Sequence, residues 1–219
     1  MMTTTEENYI KAIFTLSGRE RKLVNTNSIA TKLQTSAASV TDMLKRLAEK
    51  KLIQYEKYKG VKLSKTGEKT ALSLIRKHRL WEVFLVDKLN FQWDEVHDIA
   101  EQLEHIKSKK LVERLNDYLG EPKFDPHGDP IPDQDGVITY HAQKVLSELN
   151  VGDQGIIVGV SDSSTAFLKY LDGIKMSLGS KVNVIERVEY DGSLTIKLNN
   201  RKKVLISKVV ASNLFVNPS

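Results

Sequence analysis

The chain has 219 residues, 40% hydrophobic and 28% charged, with a net charge of +5 and no cysteine. That is apolar material for two or three compact units, and it excludes disulfides, thiolate metal ligands and cysteine nucleophiles. No run approaches the roughly eighteen apolar residues of a membrane span, and the polar start Met1-Met2-Thr3-Thr4-Thr5-Glu6-Glu7 lacks a secretory pattern, so no membrane association and a cytoplasmic location are expected. Residues 1–70 carry 14 Lys/Arg against 7 Asp/Glu, residues 71–140 carry 9 against 14, and residues 141–219 carry 10 against 7. A basic segment suits nucleic acid and an acidic one suits a cation.

Tyr9, Ile10, Ile13, Phe14 and Leu16 form a helical apolar stripe that ends near Gly18. A short second helix is expected over 27–33, capped by Asn27, with Ile29, Ala30 and Leu33 inward. A third runs from Ala37 to Lys50, its buried face made by Val40, Met43, Leu44 and Leu47. Two alternating strands follow, one from Ile53 and one over 61–64, joined near Lys59-Gly60. Helix, helix-turn-helix and basic hairpin is the order of a winged helix-turn-helix domain over 1–70.

A long helix is expected from a Thr66 cap through Leu72, Ile75, Leu80, Trp81, Phe84 and Leu85, then one over 93–107 and one over 108–119. This helical region, 71–125, has longer apolar stripes than one small domain needs, and a dimer interface is a natural use for the surplus. Residues 126–140, with Pro126-His127-Gly128-Asp129-Pro130-Ile131-Pro132, read as a linker. Beyond it, strands over 155–160, 181–188, 194–198 and 203–207, with a short helix near 165–171, suggest a small β-barrel in 141–219.

The chemistry concentrates in the acidic middle. His78 and Glu82 are one helical turn apart, as are His97, Glu101 and His105 in succession, with Glu104 beside the last. If the helices pack together, six nitrogen and oxygen donors converge. Imidazole with carboxylate suits Mn(II), Fe(II), Zn(II), Co(II) or Ni(II). The pattern is not the His-Glu-x-x-His of zinc proteases, although a metallohydrolase remains a possible use of the cluster. In the basic segment, Ser36, Ala37, Ala38, Ser39, Thr41, Asp42, Lys45 and Arg46 lie at or near the exposed start of the third helix. Small residues there allow close approach to a major groove, and hydroxyls and cations contact phosphate. Lys57, Tyr58 and Lys59 on the hairpin tip are placed to reach an adjacent backbone.

Several stretches together resemble the DtxR/MntR family of iron- and manganese-dependent repressors: Thr5-Glu6-Glu7-Asn8-Tyr9-Ile10, Ser39-Val40-Thr41, the hairpin Tyr55-Glu56-Lys57-Tyr58 through Gly67, Arg76-Lys77-His78-Arg79-Leu80-Trp81-Glu82, the run 96–105, and 126–132. The resemblance implies a mainly α N-terminal part, with winged helix-turn-helix and helical dimerisation domains, followed by a small SH3-like (FeoA-like) β-barrel. It implies a homodimer that binds palindromic operator DNA and represses metal-uptake genes. His78, Glu82 and His97 match one metal site of the family, and Glu101, Glu104 and His105 match another, completed from the first helix by Asn8. Relatives carry methionine or aspartate at Asn8, and some manganese-responsive members carry a ligating glutamate at Lys11, so their two-ion arrangement is not copied intact. Iron-responsive members have a cysteine where Glu101 stands, which favours Mn(II) over Fe(II). In some members the last domain also ligates, but around Asp162 and Ser163 the familiar Glu-x-x-Gln pair is absent. Without metal, the carboxylates are expected to repel one another and leave the first helix loosely held. The alternative is a winged-helix regulator that answers a signal other than metal.

Overall fold

The computed structural model describes residues 2–56, 59–140 and 143–218. They group into two compact units, the first made of Met1–His78, Glu101–Val112 and Pro132–Ile138, the second of Arg79–Ala100, Glu113–Ile131 and Thr139–Ser219.

The first unit opens with α1 (Thr4–Ser17), whose start is closed by a Thr3/Glu6 capping box. Next come α2 (Thr26–Lys32), capped by Asn25, and α3 (Ala37–Glu49), capped by Ser36. The cap of α2 is Asn25 and not Asn27, because the Asn25 side chain accepts the Ser28 amide. Strands β1 (Ile53–Glu56) and β2 (Gly60–Leu63) pair antiparallel, and a bridge from Val24 to Val61 joins them to the α1–α2 connection. One core serves all of these elements: Ile10, Ile13 and Phe14 of α1 pack with Ile29, Val40, Leu44, Leu47, Ile53 and Val61. The long α4 (Lys65–Leu89) starts beside this core. Ser64 Oγ, not Thr66, takes its first amide, that of Gly67. Gly67 has to lack a side chain, since a Cβ there would lie 2.0 Å from the Leu52 carbonyl oxygen.

After α4, α5 (His97–Leu103) is much shorter than the expected helix over 93–107. Asn90 at φ +58° ends α4, and Glu95 closes a turn on the Gln92 amide, so residues 90–96 are turn and not helix. α6 (Lys109–Tyr118) follows, started by Ser108.

The C-terminal region corrects the expected fold class. The strands β3 (Lys144–Val145), β4 (Gln154–Val160), β5 (Lys181–Arg187), β6 (Leu194–Leu198), β7 (Lys202–Ile206) and β8 (Leu214–Pro218) form one open antiparallel sheet in the order β3-β8-β4-β5-β6-β7. It does not close into an SH3-like barrel. Closure would require β7 to pair with β3, and a two-residue strand offers almost no ladder to pair with. Helices cover the apolar face instead. Leu168 and Leu171 of α7 (Thr165–Ile174), Ala211 of α8 (Lys208–Ser212), and Leu146 and Leu149 seal against Ile157, Val182, Val184, Ile196 and Val216.

The linker is held to this unit by backbone. Val160 donates its amide to the His127 carbonyl, and at Gly128 (φ +87°) a Cβ would lie 2.1 Å from the Val158 carbonyl oxygen. Gly128→Ala is therefore expected to destabilise the protein by more than about 2 kcal/mol, read as a lower urea midpoint. An unchanged midpoint would mean that the 126–132 segment is not packed this way.

Candidate metal centre

Among the described residues, one group of ligand-type side chains lies wholly within each unit. In the first unit, ligand atoms of His78, Glu101 and Glu104 lie within 4.8 Å of one another. Glu104 is fully buried. Its Oε2 meets His78 Nδ1 at 2.7 Å and Lys11 Nζ at 2.7 Å, while Glu101 Oε2 meets the same Lys11 Nζ at 2.6 Å. Burial alone would raise the Glu104 carboxyl, but the hydrogen bonds and charges of His78 and Lys11 outweigh it and hold Glu104 below the ordinary carboxylate value.

His105 lies at the edge of this cluster. Its Nδ1 meets Glu7 Oε2 at 2.6 Å, and its Nε2 is 3.9 Å from Glu104 Oε1. A carboxylate on one ring nitrogen fixes the tautomer and leaves the other nitrogen free to ligate, the usual support for a metal-binding histidine. Glu104 Oε1 in this cluster is buried with no hydrogen-bond partner among the described residues, and so is Asn8 Oδ1, on the residue after Glu7 in α1. Buried acceptors without donors are costly, and a cation is one partner that satisfies such oxygens. The donor set Asn8, Glu101, Glu104 and His105 therefore fits a divalent ion of hard-to-borderline character. Lys11 reaches Glu101 and Glu104, and Glu7 reaches His105, so side chains of α1 join this cluster directly.

The second unit holds Glu82, Asp125 and His127, all buried, with ligand atoms within 4.8 Å of one another. His127 Nδ1 is 3.7 Å from Glu82 Oε2, and His97 Nδ1 is 3.6 Å from Glu82 Oε1. His127 Nε2–H donates to the Trp93 carbonyl at 2.8 Å, which leaves Nδ1 pointing at the carboxylates, and the Trp93 indole stacks on the imidazole. Burial would lower His127, but Glu82 and Asp125 beside it and the Trp93 carbonyl raise it to about 9. Burial, with the like charges of Asp129 and Glu82, pushes Asp125 up to about 7 against Arg79 and His127.

Of the six spacing-derived residues, His78, Glu101, Glu104 and His105 are counted with the first unit and Glu82 and His97 with the second, and ligand atoms of His78, Glu82 and His97 also lie within 4.8 Å of one another. Sequence reasoning missed Glu7, Asp125 and His127 as site residues. His127 and Asp125 belong to a proline- and glycine-rich stretch whose side chains have no periodic face. A pocketed loop histidine beside a carboxylate was the available signal. Asp162 accepts the Ser164 amide at the start of α7.

The expected DNA-contacting residues of α3 lie on one exposed end. Ser36, Ala37, Ala38, Ser39, Asp42, Lys45 and Arg46 are exposed and Thr41 is half-buried. Ser36 accepts the Ser39 amide, and Thr41 Oγ1 donates to the Ala37 carbonyl. Lys45 pairs with Asp42 at 3.2 Å. Lys59 is exposed at the start of β2, and Lys57 and Tyr58 lie outside the described residues.

Residues 1–61 match the iron dependent repressor N-terminal DNA binding domain, residues 64–133 the iron dependent repressor metal binding and dimerisation domain, and residues 144–218 the FeoA domain. The chain is 30% identical over 186 residues to the iron-dependent repressor IdeR of Mycobacterium tuberculosis, covering 85% of this chain and 72% of that protein. It is 32% identical over 134 residues to the diphtheria toxin repressor of Corynebacterium jeikeium, covering 61% of this chain and only 55% of that protein. Among solved structures it is similar to a manganese-dependent transcriptional repressor in complex with manganese, with TM-score 0.89, 34% identity and coverage of 98% of this chain and 100% of that one. It is also similar to the manganese regulator SloR, with TM-score 0.77, 34% identity and full coverage of both chains.

The second cluster makes a pH prediction for the metal-free protein. His127 keeps its proton up to about 9 in the folded chain, above its ordinary 6.5. Its contribution to stability is complete below about 6.5 and is lost as pH rises through about 9. Melting temperature is therefore expected to fall between pH 7 and 9. Glu82→Gln should lower the His127 midpoint by at least about one unit, followed by NMR of the ring protons, and flatten that fall. An unmoved midpoint would show that Glu82 does not hold the imidazolium.

Proposed function

The chain belongs to the iron-dependent repressor family, and we propose that it is a Mn(II)-activated repressor that binds operator DNA as a homodimer and controls metal-uptake genes. The observation that carries this reading is the pair of buried, unpartnered oxygens on Asn8 and Glu104. Glu104 belongs to a cluster with His105 at its edge, His105 is oriented by Glu7, and Asn8 follows Glu7 on α1. Asn8, Glu101, Glu104 and His105 would hold one ion, and Glu82, Asp125 and His127, with His97 nearby, would hold another. These are oxygen and imidazole donors with no sulfur, a set that favours Mn(II), with Fe(II) the second candidate. When bound, the ion supplies the positive charge that allows these carboxylates and lone pairs to converge.

The chain's own residues carry the consequence to DNA. α1 bears Asn8 on one side, and on the other it shares the core with α3: Ile10, Ile13 and Phe14 pack with Leu44 and Leu47. Glu6 of α1 also pairs with Lys50 at the end of α3 at 2.6 Å. The Lys50 hydrogen bond and charge, with the Thr3 amide, hold the Glu6 carboxyl below its ordinary value against the opposing effect of burial. Fixing α1 therefore fixes α3, whose exposed residues between 36 and 46 would enter the major groove, with Lys59 on the backbone beside it. A winged-helix domain over 1–70 would then be governed by ligands that lie mainly in 71–125, with 126–140 as a connection and 141–219 as the appended domain. Exposed Leu89 and Tyr118 supply apolar surface for a partner subunit. In a homodimer two α3 helices about 34 Å apart match successive turns of a palindromic site. Among the described residues no helix is long and apolar enough to cross a membrane.

Binding of operator fragments at fixed salt tests this, because affinity for DNA depends steeply on salt. Mn(II) is expected to tighten binding between about 5- and 150-fold, anaerobic Fe(II) less so, and a chelator should reverse it. Glu104→Ala with His105→Ala should abolish the metal response while leaving residual binding. Equal affinity with and without metal would favour a regulator that answers another signal.

A further inference from the structure

The first cluster already contains a cation. Lys11 lies one turn beyond Asn8 on the same face of α1, and its ammonium stands between Glu101 and Glu104, 2.6 and 2.7 Å from their Oε2 atoms. We propose that Lys11 is a resident countercation of this site, occupying the position between the two carboxylates that a divalent ion must take over and thereby setting the ion concentration at which the site loads.

Three observations support it. First, the ammonium uses the same oxygens that a bridging ion would need, so the two cations compete for them. Second, the one carboxylate oxygen of Glu104 that Lys11 and His78 leave free, Oε1, is buried without a hydrogen-bond partner. A single ammonium satisfies only part of the donor set, and an ion that also recruits Asn8 and His105 gains what Lys11 cannot. Third, the Lys11 side chain is 17% exposed, and its flexible four-carbon stem lets the charged end move to solvent without unfolding α1. While it is in place, Lys11 pins α1 to Glu101 and Glu104, so the empty site stays assembled and only an ion with a complete ligand set displaces it.

This inference rests on Asn8, Glu101, Glu104 and His105 being ligands, and the experiment separates the two ideas. Mn(II) is titrated into the full-length metal-free protein, with free Mn(II) read by electron paramagnetic resonance, for wild type, Glu104→Gln, Lys11→Met and Lys11→Gln. Melting temperatures of the metal-free forms are recorded in parallel. Glu104→Gln is expected to lose one binding event. In Lys11→Met that event should appear at about tenfold lower Mn(II), an effect of a size common for a partly buried ion pair, while the metal-free protein melts earlier. Lys11→Gln keeps a hydrogen-bond donor without charge and gives the same readout should Lys11→Met fold poorly. If the event stays at the same Mn(II) concentration or moves higher in both Lys11 variants, the countercation role is overturned. If Glu104→Gln loses no event, the ligand assignment falls and the inference with it.

Discussion

Glu104 is a carboxylate with no solvent exposure, and a buried charge must be met by opposite charge and hydrogen bonds or its surroundings give way. Lys11 from α1 and His78 from α4 meet it. Lys77 is also near enough to feel it: burial lowers the Lys77 amine while Glu7 and Glu104 pull the other way. Because those partners come from different elements, satisfying one carboxylate fixes where α1, α4 and the segment after α5 stand. The docking of α1 depends on that electrostatic knot on one face and on apolar packing with α3 on the other. An element held between a charged site and a recognition helix transmits any change in the first to the second.

The second cluster reaches a similar balance by different means. Its histidine sits on a loop, oriented from behind by the Trp93 carbonyl and stacked under the Trp93 ring. Asp125 has its Oδ1 committed to the amides of His127 and Asp129, so only Oδ2, near Arg79, is available for another partner. Arg79 also reaches Asp129 at 3.2 Å, and the loop thus arrives already folded around its acidic group. Preorganisation of this kind lowers the conformational cost of taking up a ligand.

Much of the N-terminal fold was legible because its signals are local. The stripe Val40, Met43, Leu44 and Leu47 marked α3, and alternation marked β1 and β2. Caps slipped by a residue or two, at Asn25 and Ser64, since several neighbouring polar residues offer equivalent oxygens. α5 was overestimated because His97, Glu101 and His105 keep helical spacing although His105 lies past the helix end at Leu103. In the last region individual strands were readable, but β3 and β8 were not, being short or lacking alternation. Whether a sheet closes depends on which strand meets which, and no local pattern records that.

The candidate site divides along the same line. The sequence by itself determined the donor chemistry, with histidines and carboxylates at one-turn intervals and no thiolate, because residue type and helical period are written locally. Only the tertiary structure decided which donors meet: His78 on Glu104, Glu7 behind His105, and Asp125 with His127 beside Glu82. It alone placed the Lys11 ammonium between two acids 90 and 93 residues away. Such pairings arise from the burial of distant segments in a common core, where desolvation selects partners by charge and reach and not by separation along the chain.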